Sequence, residues 1–259
     1  MDILTYNRKA WDQQVSQGNQ WTQPVNHDQI ELARQGDWEI ILTPVKAVPR
    51  SWYPDFRGKP VLCLASGGGQ QAPILAAAGG LVTTLDNSPR QLAQDQLVAE
   101  REGLTINTIE GDMRDLSMFP DNHFSLIFHP VSNIFIPDLD PVWREAYRVL
   151  QPGGVLMSGI ANPVNYIFDM DKIDNEHILE VRYKLPYSDL NDLPKETLAR
   201  NIAAGYPLEF SHTLDEQIGG QLNAGFVLTG FYEDRHPGEL LDAFYPMFMA
   251  TRALKPGNS

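Results

Sequence analysis

The feature that most constrains this chain is a rhythm. Between residue 60 and about residue 160, short apolar runs alternate with segments of helical periodicity. VLCLAS (61–66) runs into the glycines 67 to 69. A helical stretch follows from Gln70 to Ala78, with Pro73 in its first turn and Gly79-Gly80 as its stop. LVTTLD (81–86) is the second run. Ser88 then caps a helix, Pro89 takes its first position, Gln91 completes a capping box, and Gly103 ends it. LTINTIEG (104–111) and HFSLIFH (123–129) are the third and fourth runs. Asp140-Pro141 opens VWREAYRVL, where Trp143, Ala146, Tyr147 and Leu150 recur at helical spacing. The turn Gln151-Pro152-Gly153-Gly154 leads into VLMSGI (155–160). Continuous apolar runs suit strands buried on both faces. Their alternation with helices implies a parallel sheet built by right-handed crossovers.

The flanks have a different texture. Residues 1–58 are polar with scattered aromatics. A short helix is expected from Asn7 to Val15, with Trp11 and Val15 on one side. Asn26 and Gln29 form a second capping-box pattern ahead of Ile30 and Leu32. Pro44 to Pro60 carries four prolines and reads as a connection. Residues 161–215 lose all periodicity and read as an inserted cap. A helix from Leu214 to Ala224 then leads to GFVLTGFYED (225–234) and FMATRALK (248–255), a pair joined closely enough to lie antiparallel. The expected organisation is one domain in four parts: an N-terminal cover (1–58), a core (59–160), the cap (161–215) and a C-terminal helix and hairpin (216–259).

Composition narrows the function. The net charge is −13, and no basic run is present to neutralise phosphates, which argues against a nucleic-acid partner and for a small molecule. No apolar stretch reaches membrane-spanning length, and no signal peptide is apparent, so no membrane partner is expected. The single cysteine, Cys63, excludes an internal disulfide and a CxxC zinc site; a cytoplasmic setting is expected. Asp169, Asp171 and Asp174 lack the glycine and distal glutamate of a calcium loop and read as a solvated face, so no metal is expected.

Four clusters fall at the carboxyl ends of the expected strands, where open α/β sheets bind ligands. Ala65-Ser66-Gly67-Gly68-Gly69 follows the first strand and lets a ligand approach the backbone. Asp86, with Asn87, ends the second, at the spacing of a ribose-binding carboxylate. Gly111-Asp112-Met113 follows the third: Asp112 suits an adenine amino group and Met113 the face of the ring. His129 ends the fourth. The convergence points to a nucleoside-type cofactor.

The stretch from Val61 to Leu156 resembles the class I S-adenosylmethionine-dependent methyltransferases. VLCLASGGGQ is similar to their glycine-rich first motif, LDNSPRQL to the acidic second-strand motif, GDMRDL to the adenine loop, and REAYRVLQPGGVLMSG to the helix, turn and fifth strand. The resemblance implies a Rossmann-like α/β fold: a seven-stranded, mostly parallel sheet of order 3-2-1-4-5-7-6, its last strand antiparallel, with helices on both faces. It implies S-adenosylmethionine as methyl donor and S-adenosylhomocysteine as product. It further implies that Gly67, Gly68 and Gly69 surround the methionine end, that Asp86 holds the ribose, and that Asp112 and Met113 frame the adenine. Two positions depart from the pattern: Cys63 stands where the family has an acid, and Ala65 replaces the first glycine.

For the acceptor side, His129 is the one candidate base, because it ends the strand beside the expected methyl group. Tyr6, Trp11 and Trp21 precede the core and are expected over the cofactor, where an aromatic ring favours a sulfonium. Tyr166, Phe168, Tyr183 and Tyr187 either line an acceptor pocket or fasten the cap to the sheet. Two alternatives stand beside the methyltransferase: a degenerate domain that senses the cofactor or serves as a scaffold, and an NAD-dependent oxidoreductase, which lacks support because no clean GxGxxG is present.

Overall fold

The computed structural model describes residues 1–257, so the last two residues of the expected C-terminal part lie outside the described residues. Seven strands form one sheet: β1 (Pro60–Leu64), β2 (Leu81–Asp86), β3 (Ile106–Glu110), β4 (Phe124–His129), β5 (Leu150–Ala161), β6 (Val227–Asp234) and β7 (Phe248–Leu254). Their order is β3-β2-β1-β4-β5-β7-β6. The first five pair in parallel; β7 runs antiparallel to both β5 and β6. The order reverses between β1 and β4, which makes their carboxyl ends the switch point.

Burial follows this order. Central β4 is buried throughout, whereas edge β3 is only half-buried. Because side chains alternate across a strand, β1 feeds two layers. Val61 and Cys63 pack with α2 (His27–Arg34) and α3 (Gln71–Ala77), while Leu62 and Leu64 pack with Trp143 of α5 (Asp140–Val149). Between β2 and β3 lies α4 (Pro89–Glu102), stopped by Gly103 in the left-handed region. Ser88 accepts from the Gln91 N–H as expected, but the reciprocal half of the capping box is missing. Gln91 turns instead toward the glycine turn, where its side chain is buried. The Asn26–Gln29 capping box of α2 is complete.

The flanks depart from expectation. Helix α1 (Ile3–Gln17) is longer than expected, with Asp2 as its cap and Gly18 as its stop. Its buried stripe is Asn7, Ala10 and Gln14, so the side facing inward is largely polar rather than the Trp11–Val15 side. The proline-rich connection, with the residues just before it, is a packed strap: Trp38, Ile40 and Leu42, then Val48, Trp52 and Phe56, are buried on the α2–α3 face. Without periodicity, these side chains carried no secondary-structure signal, yet each buried one contributes roughly 1.5–3 kcal/mol. The cap contains α6 (Met170–Glu176), α7 (Asp189–Asp192) and α8 (Lys195–Ala204), three helices too short to show a pattern. Asp169 is not solvated: it caps α6 and pairs with Arg182, while Asp171 pairs with Arg200. A single π-helical turn (Asp215–Gly219) precedes α9 (Gly220–Asn223) and then the hairpin. Among the described residues, no helix is long and apolar enough to cross a membrane.

Candidate active site at the strand switch point

The glycine turn is shaped by what it bonds to. Ala65 adopts the left-handed region and donates to the Leu85 carbonyl at 2.7 Å. The Gly67 N–H donates to Asp86 Oδ2 at 2.9 Å, Gly68 to the Gln91 carbonyl at 3.0 Å, and Gly69 to Asp95 Oδ1 at 3.0 Å. The turn is therefore tied to β2 and α4 by its own N–H groups. A Cβ on Gly67 would lie 2.7 Å from Gln91 Cβ. Gly68 and Gly69 pack against Trp21 and Pro24 of the N-terminal segment. Ala65, Ser66 and Gly67 line a cavity of about 460 Å³; Gly68 and Gly69 do not.

Asp86, Asn87, Gly111, Asp112 and Met113 line the same cavity. Asp86 accepts from the N–H groups of Gly67 and Ser88, both at 2.9 Å, and burial pushes its carboxyl up. Asn87 donates to the Leu4 carbonyl at 3.0 Å and so ties α1 to the site. Asp112 is held by the Arg114 guanidinium, an ion pair the sequence reading did not foresee. Trp11 and Trp21 line the cavity, with Trp11 edge-on to Phe135 at 5.1 Å. Tyr6 does not: its hydroxyl donates to the Tyr206 carbonyl at 2.8 Å, fastening α1 to the cap.

His129 does not face the cavity either. Its ring is fully buried, with Nδ1 2.9 Å from the Leu64 carbonyl, Nε2 2.7 Å from the Asn133 amide, and its edge toward Trp143. Burial pushes its pKa down against the pull of these two acceptors, and both nitrogens are engaged within the protein. The next residues, Pro130 to Ser132, reach the cavity in its place. The cap tyrosines fasten rather than line: Tyr166, Tyr183 and Tyr187 stack on one another outside the cavity wall, and Phe168 packs against a small core around Ile173.

Sequence reasoning missed three groups. Apolar Ile41 to Pro44 and Ile134 to Pro137 line the cavity from two loops. Glu209 and His236 line it from the cap and the C-terminal part. Asp95 lies fully buried beneath the glycine turn, close enough to Cys63 for their charges to interact, with Oδ2 lacking any partner. It reaches the turn from α4 and does not line the cavity. Elsewhere, His27, Glu31 and Glu102 bring ligand-capable atoms within 4.8 Å of one another, but Glu102 is already paired with His27 and Arg101.

The cavity falls within the usual size of a small-molecule site. A buried carboxylate, close backbone and two indole rings lining one cavity fit a cationic nucleoside such as S-adenosylmethionine. Comparison with known proteins agrees. The family described as "Methyltransferase domain" matches residues 62–158. An uncharacterized methyltransferase, YbaJ of Bacillus subtilis (strain 168), is 50% identical over 253 residues, covering 98% of each chain.

The chain belongs to the S-adenosylmethionine-dependent methyltransferases.

The sterol 24-C-methyltransferase erg6 of Aspergillus fumigatus is 36% identical to this methyltransferase over 101 residues, which is 38% of this chain and 26% of that one. The fold is shared with an S-adenosylmethionine-dependent methyltransferase structure from Mesorhizobium loti, at a TM-score of 0.60 and 18% identity over 79% of this chain and 94% of that one. A putative one from Listeria monocytogenes gives 0.58 at 20% identity, covering 80% and 95%. Membership sets aside the oxidoreductase alternative. Within such a site, S-adenosylmethionine supplies the methyl group, and the protein's own task is to align the acceptor and exclude water.

Proposed function

We propose that this methyltransferase modifies a small, largely apolar acceptor held between the sheet and the cap. The observation that carries this is the continuity of one cavity. It runs from Ala65, Ser66, Gly67 and Asp86 at the carboxyl ends of β1 and β2 to Tyr206, Pro207 and Glu209 of the cap. In this reading Ala65 to Gly67 border the methionine end and Asp86 with Asn87 takes the ribose. Gly111, Asp112 and Met113 border the adenine, and Trp11 and Trp21 close over the sulfonium. Gly68, Gly69, Tyr6 and His129 act by holding the frame. The acidic balance of −13 supports a small molecule over nucleic acid, and one buried thiol, Cys63, suits a reducing cytoplasmic setting.

The test is calorimetric titration with S-adenosylmethionine and S-adenosylhomocysteine, with NADH as control. The natural protein is expected to bind both sulfur compounds and not NADH. Asp86→Ala, checked for an intact fold by circular dichroism, is expected to lose about tenfold to a hundredfold in affinity, the value of a charged hydrogen bond. Unchanged affinity in that variant would remove the ribose role from Asp86.

A further inference from the structure

The cap and its return toward the sheet contribute one carboxylate to the cavity, Glu209. Its backbone is pinned to the start of α7: the Glu209 N–H donates to Asp189 Oδ2 at 2.9 Å, and the Asp189 N–H to the Glu209 carbonyl at 3.1 Å. Its side chain is held from behind, where Oε2 accepts from the Tyr166 hydroxyl at 2.7 Å. Oε1 has no hydrogen-bond partner among the described residues. No lysine or arginine contributes to its charge balance; the groups facing it are Tyr166, Tyr187 and Asp189, with Tyr183 stacked on Tyr187. Asp86, His236 and Arg114 also line the cavity, the last already paired with Asp112.

We propose that Glu209 is the catalytic base, and that the acceptor is a neutral, mostly apolar compound bearing a phenol-type hydroxyl. The proposal rests on the cavity being the transfer site. Three arguments select this class. The walls include Ile3, Leu4, Ile41 and Phe135, which favour an apolar body. Two carboxylates without a free cation disfavour an anionic acceptor, and the sulfonium of the donor disfavours a cationic one. Burial, reinforced by the charge of Asp189, pushes the Glu209 carboxyl up to about 7. A phenol, near pKa 10, lies about three units away and can pass its proton to such a base, whereas an aliphatic alcohol lies much further off. The acceptor oxygen forms the new bond to the methyl carbon with a lone pair, and the carbon–sulfur bond breaks with its electrons going to sulfur. The phenolic proton passes to Glu209 Oε1 and then to solvent, which leaves the charges balanced.

The test uses 2-naphthol as probe and 2-methoxynaphthalene, which lacks the proton, as its control, both titrated into protein saturated with S-adenosylhomocysteine. The natural protein is expected to favour 2-naphthol by about tenfold or more, and Glu209→Gln to bring the two within about twofold of each other. Affinity for S-adenosylhomocysteine, measured separately, is expected to be the same in both proteins. Infrared titration of the ligand-free protein gives a second readout: a carboxyl changing state near the value of about 7, absent in Glu209→Gln. Tyr166→Phe, which removes the hydrogen bond that favours the ionised form, is expected to move that titration higher and serves if Glu209→Gln does not fold. Retention of the 2-naphthol preference in Glu209→Gln would overturn the proposal. So would equal binding of the two naphthalenes by the natural protein, or a carboxyl titrating in the ordinary range. Failure of the natural protein to bind S-adenosylhomocysteine would count against the cofactor site alone, because the infrared titration is read without it.

Discussion

Replacing Asp95 by asparagine will make the protein's stability depend differently on pH, and the slope can be worked from the structure. Asp95 is fully buried, accepts one hydrogen bond from Gly69 and leaves Oδ2 without a partner. Burial first, and the charge of Asp86 second, push its carboxyl well above the ordinary 3.8. The folded chain therefore keeps a proton that the unfolded chain releases. Below pH 3.8 both states hold that proton and the group adds no pH dependence. Above it, stability falls by about 1.4 kcal/mol per pH unit until the folded-state value is reached. Asparagine carries no such proton and keeps the Gly69 bond through its Oδ1. It also buries an amide N–H₂, at a cost of about 1–3 kcal/mol that does not vary with pH. The stability of the variant relative to the natural protein will thus rise steadily between about pH 4.5 and the point where Asp95 ionises, offset by a constant. Urea unfolding of both proteins across this range measures the difference, in which titrating groups distant from Asp95 cancel. A difference that stays flat with pH would show that folded Asp95 is ionised throughout and would refute the reasoning.

Two further perturbations follow from the same packing. In Gly159→Ala the new Cβ would lie 2.1 Å from the Leu42 carbonyl oxygen and 3.0 Å from the Val131 N–H nitrogen, both backbone atoms. A loss of about 1–3 kcal/mol is expected in urea unfolding, and an unchanged midpoint would contradict the close strap-to-sheet contact. In His129→Leu, the Leu64 carbonyl and the Asn133 amide lose a buried partner. A loss of about 2–4 kcal/mol is expected, with S-adenosylhomocysteine affinity retained by the folded protein. Affinity falling in step with stability would move His129 back toward the ligand.

Much of this was legible in the sequence, for definite reasons. The central strands β1 and β4 are buried on both faces, so they appear as nearly unbroken apolar runs, and Asn26, Ser88 and Gly103 mark helix ends through their own chemistry. His129 could have been placed by counting. Ile127 packs in the α5 layer, and two residues on, the alternation of β4 sends His129 into the same layer, against Trp143. Asp95 was similarly available, since it shares the buried stripe of α4 with Leu92, Val98 and Glu102. Glu209 was not available. The cap owes its shape to hydrogen bonds between distant polar groups, such as Tyr166 with Glu209 and Asn7 with Leu208, and no local pattern encodes such pairs. The buried polar stripe of α1 was hidden for the same reason, because its partners lie about two hundred residues away.

Helix α1 is bonded on both flanks. On one, the Leu4 carbonyl accepts from Asn87, and Asp12 accepts from Ser88 and the Arg90 N–H, all at the end of β2. On the other, Tyr6, Asn7 and Gln13 bond Tyr206, Leu208 and Ala204, just ahead of Glu209. One element is therefore a party wall shared by the two ends of one cavity. A ligand at either end of the cavity thus bears on the same helix, and by thermodynamic reciprocity any coupling between the two is equal whichever arrives first.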